Sequence, residues 1–221
     1  MGLPIYALRK IQPYLKGAKV LCLGYPDIIA TGPMIQQAFG FTPMKYTDQN
    51  KRHRLEKQLP ESFEFFERMG ATLECIDNYP TTGFEKIIDL NEPHDLGKYD
   101  LVLDPGTMEH CFNIGQAIIN AASAVKVGGR ILHLSPMMMM NHGFYNICPT
   151  FYHDFYGQNH WEINTLEPLN SSPERFSVSD RFSPYKEYLL CCFAMRRTDA
   201  ALGFPQQTKY LKMNAKQAEA A

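Results

Sequence analysis

The sequence predicts an α/β fold: a mostly parallel, seven-stranded sheet with helices on both faces and an antiparallel hairpin closing its carboxyl-terminal edge. Three observations carry this. Residues 19–23 (KVLCL) form a short apolar run ending at Gly24-Tyr25-Pro26-Asp27, as a central strand buried on both faces and followed by a turn would. The stretch from Tyr99 to Pro136, YDLVLDPGTMEHCFNIGQAIINAASAVKVGGRILHLSP, reads as a buried strand, a tight turn, a helix of small apolar residues, a Gly128-Gly129 stop and a second buried strand, which is a βαβ unit. Two late strand-like runs, 161–169 and 186–196, are separated only by a polar loop containing Asn170-Ser171-Ser172-Pro173, which predicts the hairpin.

The elements follow in order. After the first strand, 27–39 predicts a helix with Asp27 as N-cap and Pro33 as an interruption. The chain turns polar from Phe41 to Arg54, and 61–69 (ESFEFFERM) is an amphipathic helix stopped by Gly70; 41–69 is expected to be an insertion or lid. Residues 71–76 predict the second strand, closing on Asp77, and 85–90 a third that ends in Asp89-Leu90-Asn91. The fourth and fifth strands, 100–104 and 130–134, flank a helix over roughly 113–126. Beyond Pro136, the segment 137–160 is rich in Met, aromatics and His, with a helix expected over 149–157. One domain spans 1–213, and the polar tail 214–221 is expected to be disordered.

Composition narrows the function. With 45% hydrophobic and 20% charged residues, the 221-residue chain is ordinary for a globular protein, and no apolar run is long enough to span a bilayer. A net charge of −1 argues against a nucleic-acid partner held through phosphates; the one basic cluster, Lys51-Arg52-His53-Arg54, reads as a solvated face. The six cysteines include no C-x-x-C pair and mostly sit in apolar runs, so reduced, buried thiols and a cytoplasmic location are expected. Cys191 and Cys192 should point to opposite faces of their strand. A small-molecule substrate is the expected partner; self-association is left open.

In open parallel sheets, ligands bind outside the carboxyl ends of the strands, where Asp104 to His110 falls. The Tyr99–Pro136 unit resembles the fourth-to-fifth strand segment of class I (Rossmann-like) S-adenosylmethionine (SAM) dependent methyltransferases, where D-x-x-x-x-x-G-x-x-E-H precedes a helix and G-G-x-h opens the next strand. The resemblance extends over roughly 18–197 and implies SAM as cofactor. It also implies that Asp77 holds the ribose diol, that Asp89 and Leu90 hold the adenine, and that Gly24, Tyr25, Asp104 and Gly106 line the remainder of the cofactor site. On its own, Asp77 equally suits a turn or a helix N-cap. The sequence departs from the family at the first turn, where a glycine-rich loop is usual and only Gly24 survives. Asp77 follows Gly24 by far more than the roughly 20 residues of a NAD-binding unit, which disfavours a dehydrogenase. Asp104-Pro105-Gly106-Thr107 lacks the second proline and the aromatic of nucleic-acid amino-methyltransferases.

The acceptor pocket is expected after the fifth strand, in Asn141 to Asn146, with Glu109, His110, Phe144 and Tyr145 as substrate contacts. His142 is the first choice of general base, backed by His153 and Asp154. Glu109 also suits plain capping of the following helix, and Met137–Met140 suits plain core filling. No metal site is expected, because His142, Cys148, His153 and His160 have no recognised ligand spacing. The function so predicted is methyl transfer to a small acceptor, a hydroxyl oxygen of a sugar or related metabolite. The altered first turn keeps open a catalytically inactive, methyltransferase-like binding or assembly subunit, and a nucleotide-sugar enzyme could use the same strand-end acids.

Overall fold

A computed structural model describes residues 2–51, 56–139, 141–170 and 188–219. Arg52-His53-Arg54, Met140, Ser171-Ser172-Pro173 and the last two residues of the tail lie outside the described residues. The strands of the main sheet are β1 (Lys19–Leu23), β2 (Thr72–Asp77), β3 (Lys86–Ile87), β4 (Tyr99–Asp104), β5 (Val125–Met138), β6 (Glu162–Asn170) and β7 (Tyr188–Met195). The helices are α1 (Ile5–Ile11), α2 (Gly32–Phe39), α3 (Ser62–Arg68), α4 (Ile114–Ser123), α5 (Pro149–Gln158) and α6 (Thr208–Glu219).

The sheet order is β3-β2-β1-β4-β5-β7-β6, parallel from β3 through β5, with β7 antiparallel to both of its neighbours. Strand alternation feeds two separate cores. Val20, Cys22, Leu101, Leu103, Leu132 and Leu134 pack against α1 and α3 through Leu8, Ile11, Phe65 and Phe66. Leu21, Leu23, Val102 and Ile131 pack against α4 and α5 through Ala117, Ile118, Ala121, Tyr152 and Tyr156. Cys191 joins the first core and Cys192 the second, as the period of two requires. All six thiols are free, and all but Cys148 are buried.

Several boundaries differ from the sequence expectation. Residues 27–29 are not helical: they form a short strand parallel to Gly2–Pro4. Helix α2 starts later, where Thr31 Oγ1 accepts the Met34 N–H, and Pro33 sits in the first turn, where a missing N–H costs nothing. Strand β3 is only two residues long. The Glu85 carboxylate is drawn back to the N–H groups of Thr82 and Gly83, and Asp89 Oδ1 accepts the Asn91 N–H, so side chains take the backbone out of the ladder at both ends. The 41–69 segment holds a small hairpin, Tyr46–Thr47 with Leu59–Pro60, and then α3, whose Phe65 and Phe66 are core residues. The tail, expected to fray from Asn214, is helical through Glu219.

Candidate functional site

A cleft of about 270 Å³ opens at the carboxyl ends of β1 to β4. At its base the β1 turn and the β4 turn are tied together: Thr107 Oγ1 donates to the Leu23 carbonyl at 2.6 Å, and Gly24 N donates to the Ile76 carbonyl at 2.6 Å. Gly24 has φ +77°, and a Cβ there would stand 3.0 Å from Thr107 Oγ1 and 3.7 Å from Asp77 Oδ2. A side chain at this position would fill the floor of the cleft, so the one surviving glycine stands where the backbone must remain bare.

Tyr25 directly follows the one surviving glycine of this turn, and its side chain does not block the opening. The ring is 5% exposed. Its hydroxyl donates to Glu61 Oε1 at 2.9 Å and accepts the Ser62 N–H at 3.0 Å, so it is anchored at the start of α3. Glu61 itself caps that helix through the N–H groups of Phe63 and Glu64.

The expected cofactor residues Gly24, Tyr25, Asp77, Asp89, Leu90 and Gly106 all line this cleft. Asp77 Oδ1 accepts the N–H of Asn78 at 2.8 Å, while Oδ2 is turned toward Gly24. Asp89 Oδ1 is held by both the backbone and side-chain N–H groups of Asn91, which depress the carboxyl's pKa. Asn78, Ile88, Asn91, Pro105, Thr107 and Cys111 also line the cleft and were not singled out as contacts; Asn91 ends the marked Asp89-Leu90-Asn91 run, Pro105 and Thr107 lie inside the marked Asp104–His110 stretch and Cys111 directly after it, whereas Asn78 and Ile88 carried no signal.

Asp104 is different: it is fully buried beneath the cleft rather than lining it. Oδ1 accepts the N–H groups of Thr107 and Met108, and Oδ2 meets His133 Nδ1 at 2.8 Å. His133 Nε2 in turn meets the Tyr156 hydroxyl at 2.6 Å, and the ring stacks on Tyr152 at 4.6 Å. The strand-four acid therefore shapes the turn and anchors a buried network running to α5.

The acceptor-side residues divide. His110 lines the cleft, whereas Glu109, His142, Phe144 and Tyr145 are not among its lining residues; Glu109 and His142 lie against His110, and the Phe144 N–H donates to the Glu109 carbonyl. His142 Nε2 lies 3.4 Å from Glu109 Oε1, His110 Nε2 lies 3.9 Å from the same oxygen, and the two imidazole rings are 5.1 Å apart. Glu109 is not a cap of α4, contrary to its capping alternative: it sits in a separate 3₁₀ turn, Met108–His110, and α4 is capped by Asn113, whose Oδ1 accepts the Gln116 N–H. Burial first, and the charge of Asp104 second, push the Glu109 carboxyl well above its ordinary pKa. Phe144 and Phe112, both largely exposed, pack edge to face at 5.4 Å, and the Tyr145 hydroxyl donates to the Phe112 carbonyl.

His153 and Asp154 do not reach this site. Asp154 accepts both the N–H and the hydroxyl of Thr208, and His153 Nδ1 meets Asp154 Oδ1 at 2.8 Å, so the pair fastens α5 to the start of α6. Asp154 borders a different cavity, shared with Phe204 and Cys148. The expectation of a back-up base is corrected: Asp154 is taken up by Thr208 at the start of α6, and neither residue lines the cleft.

The decisive observation is the sheet: five parallel strands in the order 3-2-1-4-5, then a seventh antiparallel strand inserted before the sixth, with the cleft at the switch point between β1 and β4. The fold is that of the class I methyltransferases. Similar solved structures include TehB from Haemophilus influenzae (13% identity, TM-score 0.47, 87% of this chain and 61% of that chain). They also include the 1,6-didemethyltoxoflavin-N1-methyltransferase of Burkholderia thailandensis, solved with bound 1,6-didemethyltoxoflavin and S-adenosylhomocysteine (11%, 0.49, 86% and 78%). A third is the O-methyltransferase of a trans-AT PKS multienzyme from Brevibacillus brevis in complex with S-adenosylhomocysteine (13%, 0.48, 96% and 77%). None of these three reaches a TM-score of 0.5, so the class I methyltransferase fold is assigned on strand order and direction. No protein-family model and no curated protein matches the sequence. Among the described residues, no helix is long and apolar enough to cross a membrane.

Proposed function

We propose that this protein is a SAM-dependent methyltransferase acting on a hydroxyl oxygen of a small polar acceptor such as a sugar. The observation that carries the reading is the convergence, in one cleft, of a bare Gly24 backbone, Asp77 at the end of β2 and Asp89-Leu90 after β3. Asp77 Oδ2 suits a ribose diol, and Ile88 and Leu90 offer an apolar slot for a purine with Asp89 at its edge. The carboxylates around the cleft, Asp77 and Asp89 with Asp104 below, favour a cationic ligand. That the Tyr25 hydroxyl is anchored on α3 favours an open cofactor cleft over an inactive binding subunit.

SAM, when bound, supplies a methyl group whose bond to sulfur breaks, the pair going to sulfur, as a bond to the acceptor oxygen forms. The protein's own part is to align and to dispose of a proton. Near-attack alignment is worth roughly 7–11 kcal/mol, and a positioned base about 10²–10⁴-fold more. Thr107 and Gly24 hold the floor of the cleft, Phe112 and Phe144 offer an apolar rim for the acceptor, and His142 beside Glu109 is the natural destination of the hydroxyl proton. Isothermal calorimetry with SAM and S-adenosylhomocysteine tests the proposal: binding by both is expected, weakened at least tenfold by Asp77→Ala. No heat from either ligand at millimolar concentration overturns it.

A further inference from the structure

Glu109 presents a physical problem that methyl transfer does not solve. Its side chain is fully buried, and neither carboxylate oxygen has a hydrogen-bond partner among the described residues. Burying such a group uncompensated costs several kcal/mol, so a carboxyl held this way ordinarily has a counter-charge or a ligand close by. Among the described residues it caps no helix and pairs with no lysine or arginine. What surrounds it instead is imidazole: Glu109, His110 and His142 each offer one ligand-type atom, and these atoms all lie within 4.8 Å of one another.

We infer that Glu109, His110 and His142 form a site for a divalent first-row cation at the acceptor wall of the cleft, whose open coordination positions receive oxygens of the acceptor. The geometry supports the ligand set. Two ligands about 2.1 Å from one ion, at octahedral or tetrahedral angles, lie roughly 3.0–3.4 Å apart. The His142–Glu109 separation is 3.4 Å, and the 3.9 Å from His110 closes with a small rotation of a half-exposed ring. The backbone is arranged to bring these three together. A Cβ on Gly143 would stand 2.9 Å from the Glu109 carbonyl, 3.0 Å from Glu109 Cγ and 3.2 Å from His110 Nδ1, so the His142 loop packs on the Glu109-His110 turn as only glycine permits. The Phe144 N–H then donates to the Glu109 carbonyl at 2.9 Å and locks the loop in place.

One carboxylate and two imidazoles favour Mn²⁺, Fe²⁺, Co²⁺ or Zn²⁺ over Mg²⁺ and Ca²⁺, which prefer all-oxygen sites, and three protein ligands on one side leave the other positions open. The acceptor half of this inference rests on the methyl-transfer reading; the cation half does not. With the ion present, His142 Nε2 holds metal rather than taking a proton. An acceptor carrying two adjacent oxygens displaces metal-bound water, its hydroxyl is acidified by the cation, and the proton leaves to solvent at the cleft mouth. The oxygen lone pair then forms the bond to the methyl carbon as the carbon–sulfur pair departs to sulfur.

The test uses the full chain stripped with a chelator and titrated with MnCl₂, ZnCl₂ or MgCl₂ alone, read by calorimetry and by the Mn²⁺ electron-spin signal. One Mn²⁺ or Zn²⁺ per chain is expected, with Mg²⁺ at least tenfold weaker. Glu109→Gln, His142→Ala and the fold-safe His110→Ala should each weaken Mn²⁺ at least tenfold. No binding of Mn²⁺ or Zn²⁺ near 1 mM, or wild-type affinity in His110→Ala together with either folded partner variant, overturns the site. S-adenosylhomocysteine is titrated separately in EDTA. Its binding without any metal binding sinks this inference alone, whereas metal binding without S-adenosylhomocysteine sinks the methyl-transfer reading and leaves the site standing. Methylation of a vicinal diol that proceeds equally in EDTA and in Mn²⁺ overturns the acceptor half.

Discussion

At Gly24 a single missing Cβ decides whether the cleft has a floor. Gly24→Ala adds a methyl 3.0 Å from Thr107 Oγ1 at φ +77°, a conformation that costs an L-residue about 1–2 kcal/mol. Calorimetry should find S-adenosylhomocysteine affinity reduced at least tenfold, with a modest fall in melting temperature. The network below the cleft is a different kind of dependence. Tyr156→Phe removes the hydroxyl that meets His133 Nε2 and strands a fully buried ring nitrogen, at a cost of about 1–3 kcal/mol. Urea denaturation measures it; a midpoint unchanged from wild type would show that the His133–Tyr156 contact contributes nothing. Among site residues, those at strand ends were legible: Asp77 and Asp89 close apolar runs, and the topology then makes their positions adjacent. The Glu109–His142 approach was not legible, because it joins residues on two separate loops and depends on Gly143 having no side chain. The histidine was foreseen as a base, whereas its nearness to a buried carboxylate is a fact of packing.

At the scale of elements, the strands with two buried faces were plain in the sequence, because an uninterrupted apolar run has few other uses in a chain of this composition. Short or side-chain-terminated elements were not. Helix α1 has only seven residues, too few for a period to stand out, and β3 is cut short by Glu85 and Asp89 turning back on their own backbone. Helix α6 has little apolar face to predict it. Its start is instead held by Asp154, which accepts the N–H and hydroxyl of Thr208. Asp154→Ala should therefore cost about 1 kcal/mol and speed proteolysis within 208–219, while S-adenosylhomocysteine affinity stays at the wild-type value. Loss of ligand affinity in that variant would restore Asp154 to the site.

For the whole molecule, acid stability should trace to the edge of the parallel sheet. Glu74 on β2 receives Lys19 Nζ from β1 at 2.8 Å and Lys86 Nζ from β3 at 2.7 Å, with the Tyr99 hydroxyl of β4 at 3.0 Å. The hydrogen bonds from Lys19 and Lys86 hold its carboxyl down to about 2. A depressed folded-state pKa contributes stability above the unfolded value near 4.5, and that stability is lost as pH falls from 4.5 toward 2. Screening limits the effect to about 1–2 kcal/mol. Glu74→Gln should flatten the stability profile over that window, measured by urea midpoints from pH 6 to pH 2.5; an unchanged slope would place the acid sensitivity elsewhere. The sequence by itself determined the layer plan, since strand burial, helix periodicity and the late hairpin are local patterns written in consecutive residues. Tertiary structure alone decided that Asp104 lies beneath the cleft, that the Tyr25 hydroxyl is tied to α3, and that Glu109, His110 and His142 meet. Those outcomes depend on contacts between residues distant in the chain, whose geometry is set by how the turns pack on one another.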